Sequence, residues 1–237
     1  MKSQHSSRAS MPRRVAFLSF TAGRWQRASS SSALARNAVH FADVVRSRRM
    51  TRSFRSDPVD TAVLESCIDF GLRAPSAGKS QGWHVLLLQG EETSRYWDNA
   101  LPQSKRESFA FPHLLTAPVV ALMLADTSAY LQRYSEPDKS HTGLGDSVDA
   151  WVAPYWTIDA SFSTMTFLLA LEDNGLGALF FAHANEEKLR EEFQLPDEVQ
   201  ILGTVALGYA IEQDERRGRS ASRLRKTVDE VIHRSQW

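Results

Sequence analysis

The chain has 237 residues, with 28 Lys+Arg against 28 Asp+Glu, 42% apolar residues and one cysteine, Cys67. That length supports a buried core without disulfide or metal, and a lone cysteine excludes both an intrachain bridge and a cysteine-built zinc site. The zero net charge argues against a nucleic-acid binder, and no apolar run nears the ~18 residues of a membrane span.

The charge is unevenly placed. Seven of the basic residues and none of the acids lie in residues 1–40, so this arm carries +7 and the rest of the chain −7. It is also rich in serine, including Ser29 to Ser32. Such a composition suits an organelle transit peptide, a disordered tail or a misplaced start. The arm is expected to be disordered, and residues 41–237 to form the folded domain.

His40 to Arg46 reads as a short helix with Phe41, Val44 and Val45 on one face. A basic stretch follows from Arg46 to Arg55. Asp60 is placed to cap a helix in which Val63, Leu64, Cys67, Ile68 and Leu72 recur at helical spacing. Cys67 lies within that stripe and reads as a core thiol in preference to a reactive one. Ala74 to Gln81, APSAGKSQ, is a loop. Trp83 to Gln89 is a strand, nearly all apolar and expected to be buried on both faces. Glu91 to Asn99 should be helical, Pro118 to Ala125 a second buried strand, and Asp126 to Tyr134 a helix. Ser135 to Pro154 is irregular and long enough for a lid.

Trp156 to Asn174 carries apolar residues around most of its circumference and predicts a central, mostly buried helix. Gly175-Leu176-Gly177 closes it. Ala178 to Ala182 is a strand, Asn185 caps an acidic helix to Phe193, and Val199 to Ala210 is the last strand. Helices and strands alternate, as in α/β or α+β folds.

The chain lacks a phosphate-binding P-loop, a nucleophile elbow and histidines at helical metal-pair spacing. The glycines at 175 and 177 follow a helix and precede a strand, the reverse of a dinucleotide fingerprint. Helical metal pairing and a Rossmann site are therefore not expected. Three features remain. They are the basic cluster Arg48, Arg49 and Arg52, the Pro-Ser-Ala-Gly loop, and the glycine pair. Taken singly, they read as a solvated face, a turn and a helix C-cap.

In this order the features resemble the FMN-dependent nitroreductase family. RRMTRSF (Arg48 to Phe54), Pro58-Val59 and APSAGKSQGW (Ala74 to Trp83) are similar to its N-terminal signature. Thr157 to Phe181 is similar to its central helix and flavin-contacting turn, and Arg223 to Trp237 to its C-terminal phosphate-binding segment. Met50 and Lys79 depart from the Ser and Asn the family often has there, and Thr227 from its usual Pro.

The resemblance implies an α+β sandwich, a mainly antiparallel sheet flanked by helices, with the flavin at a homodimer interface. It implies FMN as cofactor and NADH or NADPH as reductant. Arg48, Arg223 and Arg225 would meet the phosphate. Arg52 would stand at the pyrimidine edge, with Arg49 either joining them or facing outward. Pro75, Ser76, Ala77, Gly78 and Gln81 would contact the ring, and Gly175, Leu176 and Gly177 would lie near its N5 edge. Trp83, Trp151, Tyr155 and Trp156 read as packing residues or as stacking walls.

The implied chemistry is ping-pong hydride transfer through flavin N5 to a nitroaromatic, quinone or related small-molecule acceptor, in the cytoplasm unless the arm directs the chain to an organelle. Neither nucleic acid nor membrane is expected as a partner. The competing readings are a flavin-sequestering protein, reductive dehalogenation or flavin breakdown on the same scaffold, and a protein that interacts through its basic arm.

Overall fold

The computed structural model describes residues 40–212 and 222–237. The basic arm, apart from His40, lies outside the described residues. Four strands form one antiparallel sheet in the order β1-β2-β4-β3: β1 Trp83–Gln89, β2 Val119–Asp126, β3 Gly177–Phe181 and β4 Val199–Gly208. Helices cover both faces, so the architecture is α+β. Among the described residues no helix is long and apolar enough to cross a membrane.

β2 is central, and its alternation builds two cores at once. Val119, Ala121 and Met123 pack on one face with Leu64 and Cys67 of α2 (Thr61–Gly71) and with Phe167 and Leu171 of α6 (Tyr155–Asp173). Val120, Leu122 and Leu124 pack on the other face with Tyr96 and Trp97 of α3 (Thr93–Ala100) and Leu189 of α7 (Glu186–Phe193). Burying each large apolar side chain contributes about 1.5–3 kcal/mol. The two smaller partners of this framework, α4 (Gln103–Arg106) and α5 (Ser128–Ser135), lie between strands and before the long irregular segment.

The Asp60 carboxylate accepts from Ala62 N at 2.9 Å and starts α2, as its position suggests. Its last residue, Gly71, is small because a Cβ there would lie 2.6 Å from the Trp83 ring. Cys67 is fully buried, accepts from Asn174 Nδ2 at 3.6 Å, and has its thiol pushed up to about 11, chiefly by burial. The core reading of this thiol stands.

Three expectations require correction. β1 is an edge strand, so His84 is exposed and Val85 to Leu87 are only partly covered. Asn185 sits at the start of α7 but does not cap it. Its backbone is left-handed at φ 54°, and its side chain donates instead to Asn99 O at 2.9 Å. α6 buries one side only, leaving Phe162 and Met165 outward. In α1 (Phe41–Ser47), which forms as expected, Val44 is buried and Phe41 and Val45 are exposed.

Candidate functional site

The basic segment extends the sheet. α1 stops at Ser47, the backbone straightens at Arg48, and Met50 bridges Ala178 in parallel. Thr51 N donates to Ala178 O at 2.9 Å, and Phe180 N donates to Met50 Sδ at 3.5 Å. Further on, Arg55 N donates to Tyr209 O and Ile211 N to Ser53 O. An extended segment sends successive side chains to opposite sides. Arg49, Thr51 and Arg55 line a cavity of about 620 Å³ with Gly175, Leu176 and Gly177. Arg52 is not among its walls. Its Nη1 donates to Met50 O at 2.9 Å, and its guanidinium lies 5.7 Å from the centre of the Phe111 ring.

This divides the predicted arginines by chemistry. A phosphate dianion needs guanidinium donors that no carboxylate already engages. The Arg49 cavity also holds Glu172 and Glu212, and Arg55 pairs with Asp57 at 3.3 Å. Arg48 and Arg52 are half-buried and form no ion pair among the described residues. The donor set on their side therefore fits FMN.

The glycine pair splits too. Gly175 is left-handed at φ +74°, and a Cβ there would meet nothing within 4 Å. At Gly177 the same space belongs to Thr51, whose Oγ1 would lie 2.7 Å from a Cβ. The pair is thus not a single open platform. Only Gly175 presents bare backbone, and Gly177 is small so that the basic segment can approach β3.

The loop is held from inside. Ala77 N donates to Asp159 Oδ2 at 2.7 Å, and the Tyr130 hydroxyl donates to the same oxygen at 2.9 Å. Burial, followed by the hydrogen bond to Asp159, raises the Tyr130 phenol well above its ordinary value. Gln81 N donates to Ser76 Oγ at 3.1 Å. Arg133 Nε donates to Gly78 O at 2.8 Å, while its two terminal nitrogens grip Asp138 at 2.8 Å each. That grip holds the Asp138 carboxyl down at about 2. Gly78, Lys79 and Gln81 are all left-handed, with φ of 59°, 61° and 56°. The amides of Ala77 and Gln81 and one lone pair of Ser76 Oγ are therefore engaged within the chain. Pro75 and Gln81 are exposed.

One chain does not gather these parts. Asp159, which holds Ala77, and Asp173, which precedes the Gly175 turn, are separated along α6 by about 21 Å at 1.5 Å per residue. Arg223 and Arg225 lie on the exposed C-terminal segment, beyond residues 213–221, which lie outside the described residues.

The family model for the nitroreductase family matches residues 45–209. The chain belongs to the nitroreductase family. It is an enzyme of this oxidoreductase family, and the match covers the sheet, the Arg48–Arg55 segment and the 74–81 loop, and ends before Arg223 and Arg225. An NADH dehydrogenase from Thermus thermophilus is 30% identical over 182 residues, covering 70% of this chain and 84% of that protein. A nitroreductase-family structure from Streptococcus pneumoniae has a TM-score of 0.65 at 22% identity, covering 82% of this chain and all of that one. A structure from Exiguobacterium sibiricum, solved in complex with FMN, has a TM-score of 0.63 at 15% identity, covering 84% and 98% of the two chains. At these identities the two structures establish the nitroreductase fold.

The sequence reading did not single out several nitroreductase residues that shape the site. Asp159 and Tyr130 hold the loop from 82 and 53 residues away from Ala77, without a local motif. Arg133 hides in an ordinary helical pattern. Trp151 packs among Tyr130, Tyr134, Tyr155 and Trp156, and Trp83 against Phe167. For these aromatics the packing reading describes the contacts.

Proposed function

We propose that this nitroreductase-family protein is an FMN-dependent oxidoreductase that takes reducing equivalents from NADH or NADPH and passes them to a nitroaromatic, quinone or related acceptor. The observation that carries the reading is the pair Arg48 and Arg52. Both are half-buried, neither is engaged by a carboxylate among the described residues, and both lie on a segment hydrogen-bonded along β3. Bound FMN would supply hydride exchange at its N5. The chain's part is to bind and orient. Arg48, with Arg223 and Arg225, would neutralise the phosphate through forked charge-assisted bonds. Arg52 would favour negative charge at the pyrimidine edge. No protein nucleophile is needed.

The active form in this reading is a homodimer. The loop held by Asp159 and the arginine segment lie at opposite ends of α6, and the outward face between them carries Phe162 and Met165. A two-fold pairing about that face would bring the loop of one protomer to the arginines of its partner. The test is an absorbance spectrum of the purified protein, recorded without oxygen before and after NADH or NADPH, then after an acceptor. Flavin bands that bleach and return, in a particle of about twice the chain mass by light scattering, support the reading. A colourless protein that refuses FMN, or a strict monomer that binds it tightly, refutes it.

A further inference from the structure

The 74–81 loop rests on a small cavity of about 20 Å³, which lies between the loop, the end of α2, Tyr130 of α5 and the first half of α6. A water needs about 10–15 Å³ of such space, so the cavity takes a single water-sized species. Asp159 and Ser163, one turn apart on α6, line it together with Ser76 of the loop. The two α6 residues are 6% and 7% exposed.

Both have unmet bonding capacity. Asp159 Oδ2 accepts from Ala77 N and from the Tyr130 hydroxyl, but Oδ1 has no hydrogen-bond partner, and the carboxylate no ion pair, among the described residues. The Ser163 hydroxyl makes no hydrogen bond among the described residues either, whereas its neighbour Thr164 bonds back to Ala160 O at 2.8 Å. Ser76 Oγ accepts from Gln81 N and keeps one lone pair. Polar side chains buried this deeply are nearly always satisfied, so the cavity asks for a partner from outside the chain.

Electrostatics selects the charge of that partner. A buried carboxylate is costly unless it is paired, and no Lys, Arg or His lines the cavity. Arg73, which stands between the lining residues Leu72 and Ala74, pairs with Asp69 at 2.7 Å on the surface. Leu72 is also the C-cap of α2, and the carbonyl end of a helix carries the negative pole of its dipole. A carboxylate, hydroxyl oxygens and a helix C-terminus all favour a cation. One carboxylate among neutral oxygens matches a single positive charge, whereas calcium sites gather several carboxylates, and no group of three His, Cys, Asp or Glu comes together among the described residues.

We propose that this cavity is a binding site for a monovalent metal cation, Na⁺ or K⁺, held by Asp159 Oδ1 and by the hydroxyl oxygens of Ser163 and Ser76. The site goes beyond the flavin reading and does not rest on it. The cation and the Ala77 amide share one carboxylate, so filling the cavity stiffens the loop in which Gly78, Lys79 and Gln81 hold left-handed backbone. Such backbone persists only where its surroundings over-determine it.

The test is thermal unfolding of the full chain as purified, in NaCl, KCl and tetramethylammonium chloride at equal ionic strength. Tetramethylammonium is too large for the cavity and reads the general effect of salt. At about ten times its dissociation constant, Na⁺ or K⁺ should raise the melting temperature by about 3–6 °C over tetramethylammonium. Asp159→Asn, which keeps an accepting oxygen but no charge, should abolish that increment. Ser163→Ala removes one oxygen and should need about three- to tenfold more cation for half the increment; it carries the test if Asp159→Asn does not fold. Equal melting of the wild type in all three salts overturns the site and leaves a water in the cavity. An increment that survives Asp159→Asn, or a half-effect concentration unmoved by Ser163→Ala, also overturns it, because the cation then acts elsewhere.

Discussion

Replacing Asp159 with alanine should release the 74–81 loop. The carboxylate is 6% exposed and one of its oxygens accepts two bonds, from Ala77 N at 2.7 Å and from the Tyr130 hydroxyl at 2.9 Å. Bonds to a charged group contribute about 1.5–3 kcal/mol each, and Asp159→Ala strands both donors. Relief from burying the carboxylate offsets part of that. The expected net loss is about 3 kcal/mol, and at 2–4 °C per kcal/mol for a domain of this size the melting temperature should fall by about 6–12 °C. Tyr130→Phe removes one donor and leaves the Ala77 bond intact, so it should cost only about 1–1.5 kcal/mol. The double variant should be less destabilised than the sum, because the phenol that Asp159→Ala orphans is no longer there. Thermal and urea unfolding followed by circular dichroism measure all four corners of the cycle. A wild-type melting temperature for Asp159→Ala, or strict additivity, would refute the idea that this carboxylate clamps the loop.

Arg48→Ala and Arg225→Ala should each weaken FMN binding by about ten- to a hundredfold, the loss of one charge-assisted phosphate contact; unchanged titrations for both would displace the phosphate site. Arg52→Gln should lower the two-electron potential of bound flavin, by about 30 mV for each 1.4 kcal/mol lost from the reduced state, and spectroelectrochemistry reads that directly. Cys67, buried with its thiol raised to about 11, should react with a thiol reagent only after unfolding in urea; fast labelling of the native protein contradicts its place in the core. Glu186 is held below its ordinary 4.5 by His183 and then Arg190. Its contribution is therefore complete above that value and lost as pH falls through the lowered one. Glu186→Gln should melt below wild type above pH 4.5 and approach it as the pH is lowered beneath that value; a constant gap between the two curves contradicts the pairing.

Local chemistry was legible in the sequence. Asp60 announces α2 by its carboxylate, and the uninterrupted apolar run at Val119 to Ala125 announces a strand covered on both faces. β1 has almost the same composition, yet it lies at the edge, because strand order depends on long-range pairing that no window of residues contains. Asn185 has the residue type of a helix cap, but a bond to the Asn99 carbonyl claims its side chain. The candidate site was legible as a set of motifs and not as a geometry. The alternation of the 48–52 segment, read as a strand, would have separated Arg49 from Arg52. Nothing local could show that Thr51 fills the space over Gly177, or that Asp159 anchors a loop 82 residues away.

The central position of β2 has a consequence during synthesis. It pairs with β1, already made, and with β4, whose first residue, Val199, comes after the whole of α5, α6, β3 and α7. Val119 to Ala125 thus leaves the ribosome as an uncharged, strand-forming stretch with one edge open, and more than seventy residues must follow before that edge can close. At about 5–20 residues per second the interval is roughly 4–15 s. Stretches of this kind recruit copies of themselves when left uncovered. Pro118 and Asp126 stand at the two ends of the run, one unable to donate a backbone hydrogen bond and the other charged, the kind of flanking residue that disfavours stacking of such a stretch on its copies.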